Sequence, residues 1–311
     1  RKLHRIANSV LLFDEVQTLP IRLIPSLLSG VKLLTEKYNV VAVFGTATQP
    51  AFVHAKQAIS GGWNPQEIVK VPDASANDLR RVQITRRPFD KPQTWQEIAE
   101  ELLEQKRVLC VVNSRKDAQS LFEMIQQQAG AYHLSAAMCA AHRQDRLKEI
   151  RERLTATDLP CRLITTQLIE AGVDIDFPVV YRALGPLDSI IQSAGRCNRE
   201  GRLATPAPVI VFVPAEGTMP RGCYRQAAAI TEAFLNENPG IDLQLPSTYA
   251  QYFGRMYGVL GPDSAKQDPV FAASEAFDFP AAATACSLIG EATRSVLVAY
   301  GKGRDIIGEI E

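Results

Sequence analysis

The chain has 311 residues, 46% hydrophobic and 22% charged, which is ordinary for a globular protein and enough for two domains with separate cores. Lys plus Arg and Asp plus Glu number 34 each, and this neutral total neither supports nor excludes a nucleic-acid partner. The six cysteines are scattered without a Cys-x-x-Cys pair, against a zinc site or disulfide framework. Cys110, Cys139, Cys161 and Cys197 fit buried reduced thiols, which points to the cytoplasm. No apolar run reaches membrane-spanning length and no signal peptide opens the chain, so no membrane association is expected.

Short β-rich runs alternate with amphipathic helical stretches. Val10 to Phe13 is wholly apolar and ends in Asp14-Glu15, which predicts a central strand with acidic residues at its tip. Arg22 to Lys37 carries Leu and Ile at helical spacing, and Val40 to Phe44 predicts the next buried strand, followed by Thr46-Ala47-Thr48. Arg81 to Thr85 alternates like an exit strand, and residues 86–92 are basic, twice interrupted by Pro, and suit a linker. Thr94-Trp-Gln-Glu97 predicts a capping box opening a helix, and Ser114 with Asp117 caps another. Strands are predicted at 108–112, 132–134, 162–165, 179–182 and 209–213, a spacing that implies a parallel sheet covered on both faces. The charges of His142 to Arg153 suit the solvated side of a helix. Beyond Pro214 one helix is expected near residues 224–235 and a last strand at 295–300.

Asp14 and Glu15 fit a nucleoside triphosphatase, the first holding Mg²⁺ through water and the second polarising the attacking water. Alone, such a pair serves equally well as a helix cap. Thr46 and Thr48 can hydrogen-bond to the acidic pair, although a plain turn reads the same way. The informative stretch is Thr165 to Asp174 followed by Gln192-Ser-Ala-Gly-Arg196-Cys-Asn-Arg199. Gly172 allows close backbone approach, and Asp174 can accept from a ribose or from an arginine. Arg196 and Arg199 would share a face if helical, and guanidinium groups aimed at a γ-phosphate both stabilise and sense phosphoryl transfer.

Asp14 to Gln17, Thr46 to Thr48, Val111 to Ser114, Thr165 to Asp176 and Gln192 to Gly201 resemble helicase motifs II to VI of superfamily two. In wording they are closest to the CRISPR-associated Cas-three helicases of type I systems, well over residues 8–213 and faintly after them. The resemblance implies RecA-like α/β domains and an ATP- and Mg²⁺-dependent translocase on single-stranded DNA. It further implies recruitment by the Cascade surveillance complex, with a separate HD nuclease domain cutting the strand. Carried over, Asp14 and Glu15 are the Walker B pair, with Thr46 and Thr48 coupling the domains. Gln192, Arg196 and Arg199 face ATP, and Gly172 and Asp174 line its ribose side. Asn113, Ser114 and Thr166 are weaker candidates for DNA-backbone contacts.

The pattern departs from the family in two places. Gln17 stands where the family commonly has His, so it can bridge by hydrogen bonds but cannot titrate. No Gly-x-x-x-x-Gly-Lys-Ser/Thr cradle and no HD pair occur in the 311 residues. The expectation is therefore a truncated piece that hydrolyses little ATP alone. Its expected plan is the back half of a first RecA-like domain with linker over 1–92, a complete second one over 93–215, and the start of a carboxyl-terminal domain over 216–311. Two other readings stand beside it: a different superfamily-two repair translocase, and a nucleotide-independent binding module derived from a helicase.

Overall fold

The computed structural model describes residues 3–46, 59, 62–68, 80–156, 158–170, 172–261, 268–287, 296–301 and 303–310. The chain forms two compact units, Arg1–Asn77 with Gly240–Thr293, and Asp78–Pro239 with Arg294–Glu311.

In the first unit a short turn α1 (Leu3–Ile6) leads into β1 (Val10–Phe13), which pairs in parallel with β2 (Val41–Phe44). Between them, two 3₁₀ turns enter α2 (Ile24–Lys37), whose Ile24, Leu28 and Val31 pack with Val16, Ile59 and Trp63. The expected central strand is corrected here: Val10 and Leu12 are 68% and 72% exposed, and Val41 of β2 is 57% exposed. Side chains alternate across a strand, so Phe13 packs toward the core while Val10 and Leu12 point away from it. Later in the chain α8 (Pro246–Leu260), α9 (Pro269–Glu275) and α10 (Phe279–Ala285) belong to this same unit. Asp268 caps α9 by accepting from Val270 N, and its other oxygen accepts from Ser26 N and Oγ at the start of α2.

The second unit is built on a six-stranded, all-parallel sheet in the order β3-β8-β7-β4-β6-β5. The strands are β3 (Val82–Arg86), β4 (Arg107–Val111), β5 (Ala131–Leu134), β6 (Cys161–Thr165), β7 (Val180–Ala183) and β8 (Ala207–Phe212). Helices α3 (Trp95–Glu104), α4 (Arg115–Ile125), α5 (Ala140–Thr155), α6 (Leu187–Ala194) and α7 (Cys223–Glu237) complete it, followed by α11 (Gly303–Ile310). Alternate residues of β4 feed two cores: Leu109 and Val111 join one with Ile150 of α5, Val108 and Cys110 the other with Ile98 of α3 and Leu121 of α4. The sheet is thus covered on both faces, as the strand spacing requires. Both caps form as expected, Thr94 with Glu97 as a full capping box and Ser114 accepting from Asp117 N. In α5 only Ile150 is fully buried, so its charges face solvent.

Three expectations about organisation change. Val82–Arg86 is an edge strand of the second sheet, paired along its length with β8, and does not close the first unit. Residues 216–311 are divided between the units, because α7 packs with the second while α8 to α10 join the first. No strand forms over residues 296–300: Tyr300 instead stacks on His142 and donates to Asp145 of α5, which fixes the segment by one side chain.

Candidate functional site

The first unit gathers its polar residues at the carboxyl ends of β1 and β2. Asp14 is exposed, and one of its oxygens accepts from Glu15 N at 3.0 Å. Glu15 sits in the left-handed region (φ 52°, ψ 46°), a conformation that costs a non-glycine residue about 1–3 kcal/mol and recurs at functional sites. Gln17 is buried; its amide N–H donates to Glu15 Oε2 while its carbonyl accepts from the Thr46 hydroxyl. A relay therefore runs Thr46–Gln17–Glu15, joining the two predicted motifs. Thr48 lies outside the described residues. Asp14 and Glu15 offer hard carboxylate oxygens, the donor set that Mg²⁺ takes alongside water and phosphate.

In the second unit the predicted residues cluster beyond the carboxyl ends of β4, β6 and β7. Strands β4 and β7 are neighbours whose following connections run to opposite sides of the sheet, the switch point where open α/β sheets place ligands. Thr166 opens a 3₁₀ turn (Gln167–Ile169), and Gly172 follows at φ +70°, where an added Cβ would meet nothing within 4 Å. Gly172 is thus required for its left-handed backbone, with open space around it. Asp174 and Arg199 form an ion pair (Oδ1 to Nε 3.0 Å), with the arginine partner foreseen for Asp174.

Arg196 and Arg199 do not share a helix face, because α6 ends at Ala194 and the chain turns at Gly195. Arg196 is 8% exposed, with Nε donating to Ile169 O at 2.9 Å and Nη2 to Glu170 O. Arg199 is exposed at the loop, whose Arg199 and Glu200 backbone N–H groups donate to the Asp176 carboxylate. Gln192 lies half-buried on α6. The loop is also tied to the chain entering β3, since Asn198 donates to Arg81 O and the Arg81 guanidinium donates to Arg199 O.

Asn113 is corrected as a phosphate donor. It is 3% exposed, its amide donates to Leu184 O, and its Oδ1 accepts from Arg182 Nη1 and from the Tyr224 hydroxyl. Ser114 Oγ accepts from Asp117 N and from the Thr218 hydroxyl, and Thr166 is buried, which leaves no open row of donors. The residue missed from sequence is Arg182. It is fully buried in β7 and donates to Asn113 and to Ser189 Oγ (2.7 Å), which donates in turn to Glu170 Oε1 (2.6 Å). Its Nη2 also lies 3.3 Å from Glu170 Oε1. Burial pushes the Glu170 carboxyl up, and the Arg182 guanidinium pulls it back down. The signal was a lone arginine inside the apolar run Val179 to Ala183.

Residues 104–202 match the family model described as "CRISPR-associated nuclease/helicase Cas3, C-terminal". A CRISPR-associated nuclease/helicase Cas3 from Haloferax volcanii is 55% identical over 53 residues, 17% of this chain and 6% of that protein. One from Methanothermobacter thermautotrophicus is 25% identical over 200 residues, 61% of this chain. The chain spans about a quarter (24%) of that relative's length. Among solved structures, T. fusca Cas3-ADP aligns over 91% of this chain and 40% of its own, with a TM-score of 0.60 and 16% identity. That likeness shows the fold, a RecA-like α/β sheet.

Proposed function

We propose, from the match of residues 104–202 to that family model, that the chain belongs to the Cas3 helicase family and forms part of an ATP-driven translocase on single-stranded DNA. The observation that carries this reading is the segment Thr165 to Gly201. Its exposed Arg199 rests on the exposed carboxylate of Asp174, on a fixed backbone beside the sheet's switch point. A weak exposed ion pair is readily exchanged for a phosphate, whose fork geometry suits guanidinium.

Asp14 would hold Mg²⁺ through water, and Mg²⁺ would neutralise charge building on the phosphates. Glu15 would polarise the attacking water, with its carboxylate oriented by Gln17 and thereby linked to Thr46. Arg199 would reach the γ-phosphate, and Arg196, buried against the 3₁₀ turn, would fix the loop from which Arg199 extends. Gly172 and Asp174 would line the ribose side, and Gln192 on α6 would face ATP. Thr48 would assist Thr46, while Ser114 and Thr166 are engaged within the fold and are not assigned to the DNA track. The family resemblance adds recruitment by Cascade and cooperation with an HD nuclease domain. The test is ATP turnover by the full-length protein with and without single-stranded DNA. Stimulation by DNA, abolished by Glu15→Gln, is expected; turnover that Glu15→Gln leaves intact would overturn the reading.

A further inference from the structure

We propose that Arg182 is a positioning residue that sets Arg196 through Glu170. The proposal rests on the motor reading above and adds Arg182, Glu170 and Ser189, which that reading does not use. Glu170 is 8% exposed and works with both of its ends. Its carboxylate Oε1 accepts from Ser189 at 2.6 Å and Ser193 at 3.2 Å, and lies 3.3 Å from Arg182 Nη2. Its backbone carbonyl accepts from Arg196 Nη2, beside Ile169 O, which accepts from Arg196 Nε. Whatever fixes the Glu170 side chain therefore fixes the two carbonyls that aim Arg196.

Arg182 gathers the surrounding elements onto that point. Nη1 donates to Asn113 at the end of β4 and to Ala183 O, while Nη2 donates to Ser189 of α6 and the Tyr224 hydroxyl of α7. Gly185 leaves room for the cluster: a Cβ there would stand 2.9 Å from the Tyr224 hydroxyl and 3.1 Å from Arg182 Nη2. The arrangement is a poor way to gain stability. A buried ion pair seldom outperforms apolar packing, and the Nε of Arg182 is buried without a partner. What it does provide is one geometry shared by β4, the 3₁₀ turn, α6 and α7. The loop that Arg196 holds carries Arg199, and a reacting group tolerates little displacement, since misplacement by about 1 Å costs on the order of 100-fold in rate.

A double-mutant cycle in the full-length protein tests this by DNA-stimulated ATP turnover. Arg182→Lys keeps the charge but not the fork, and should lower kcat on the order of 10- to 100-fold with a smaller change in KM. Combined with Arg196→Gln, it should cost nothing beyond Arg196→Gln alone, because it acts through Arg196. Ser189→Ala, a smaller change, should show the same non-additivity even if Arg182→Lys does not fold. Multiplicative losses in both cycles overturn the proposal while leaving the motor reading intact. A wild-type protein that turns over no ATP overturns both.

Discussion

Gln17 is the cleanest place to perturb the first unit, because its two hydrogen bonds join Glu15 to Thr46. Gln17→Leu is nearly isosteric and removes one bond to a carboxylate and one between neutral groups. Those are worth about 1.5–3 and 0.5–1.5 kcal/mol respectively. Glu15 and Thr46 are half-buried and recover water in part, and leucine gains some burial, so the net loss should be about 2 kcal/mol. The chain has two tryptophans, Trp63 in the first unit's core and Trp95 in the second's. In a Trp95→Phe background, Trp63 fluorescence follows urea unfolding of the first unit alone. With a slope of about 1–2 kcal/mol per M urea, the midpoint should fall by about 1–2 M. A midpoint unchanged by Gln17→Leu would refute the relay. Gln17→His supplies the complementary result. An imidazolium beside Glu15 has its pKa raised on folding, so its stabilisation is full below about pH 6.5 and disappears as pH rises through the folded value. The midpoint of that variant should decline from pH 6 to 8 relative to the wild type.

Two further outcomes follow from the sequence and the cores. The 311-residue chain contains no Gly-x-x-x-x-Gly-Lys-Ser/Thr segment, so purified alone it should hydrolyse ATP no faster than background. Strong DNA-stimulated turnover by that chain, lost in Glu15→Gln, would contradict this. Burial pushes Cys110, Cys161 and Cys197 up to about 12, which leaves almost no thiolate at pH 8. A thiol reagent on the folded chain should therefore label exposed Cys223 quickly, and label these three only on unfolding. Labelling of Cys110 at the rate of Cys223 would show that the second core is not as described.

The second sheet was legible because its strands are apolar, evenly spaced and bounded by caps whose hydrogen bonds are local. Thr94, Ser114 and the run 108–112 needed no distant partner to be read. Val82–Arg86 misled because its partner, β8, lies more than a hundred residues away, and a two-residue alternation says nothing about which sheet a strand joins. Val10–Phe13 misled differently: four apolar residues read as doubly buried, yet only one face meets the core. The arginines of the candidate site were found by motif, but their poses were not. Gly195 ends α6 one residue before Arg196, and helical spacing therefore gave Arg196 and Arg199 a common face that they lack. Asn113 looked like a free donor because Arg182 and Tyr224, which occupy it, are 69 and 111 residues distant.

The account turns on Arg199 as the group that reads the nucleotide. The measurement that tests it most directly is ATP turnover and ATP affinity of the full-length protein carrying Arg199→Ala, with single-stranded DNA present. An arginine acting on the transferred phosphate is worth on the order of 10³–10⁵ in kcat, so turnover should collapse while ATP still binds. An Arg199→Ala protein with unchanged kcat would contradict the account.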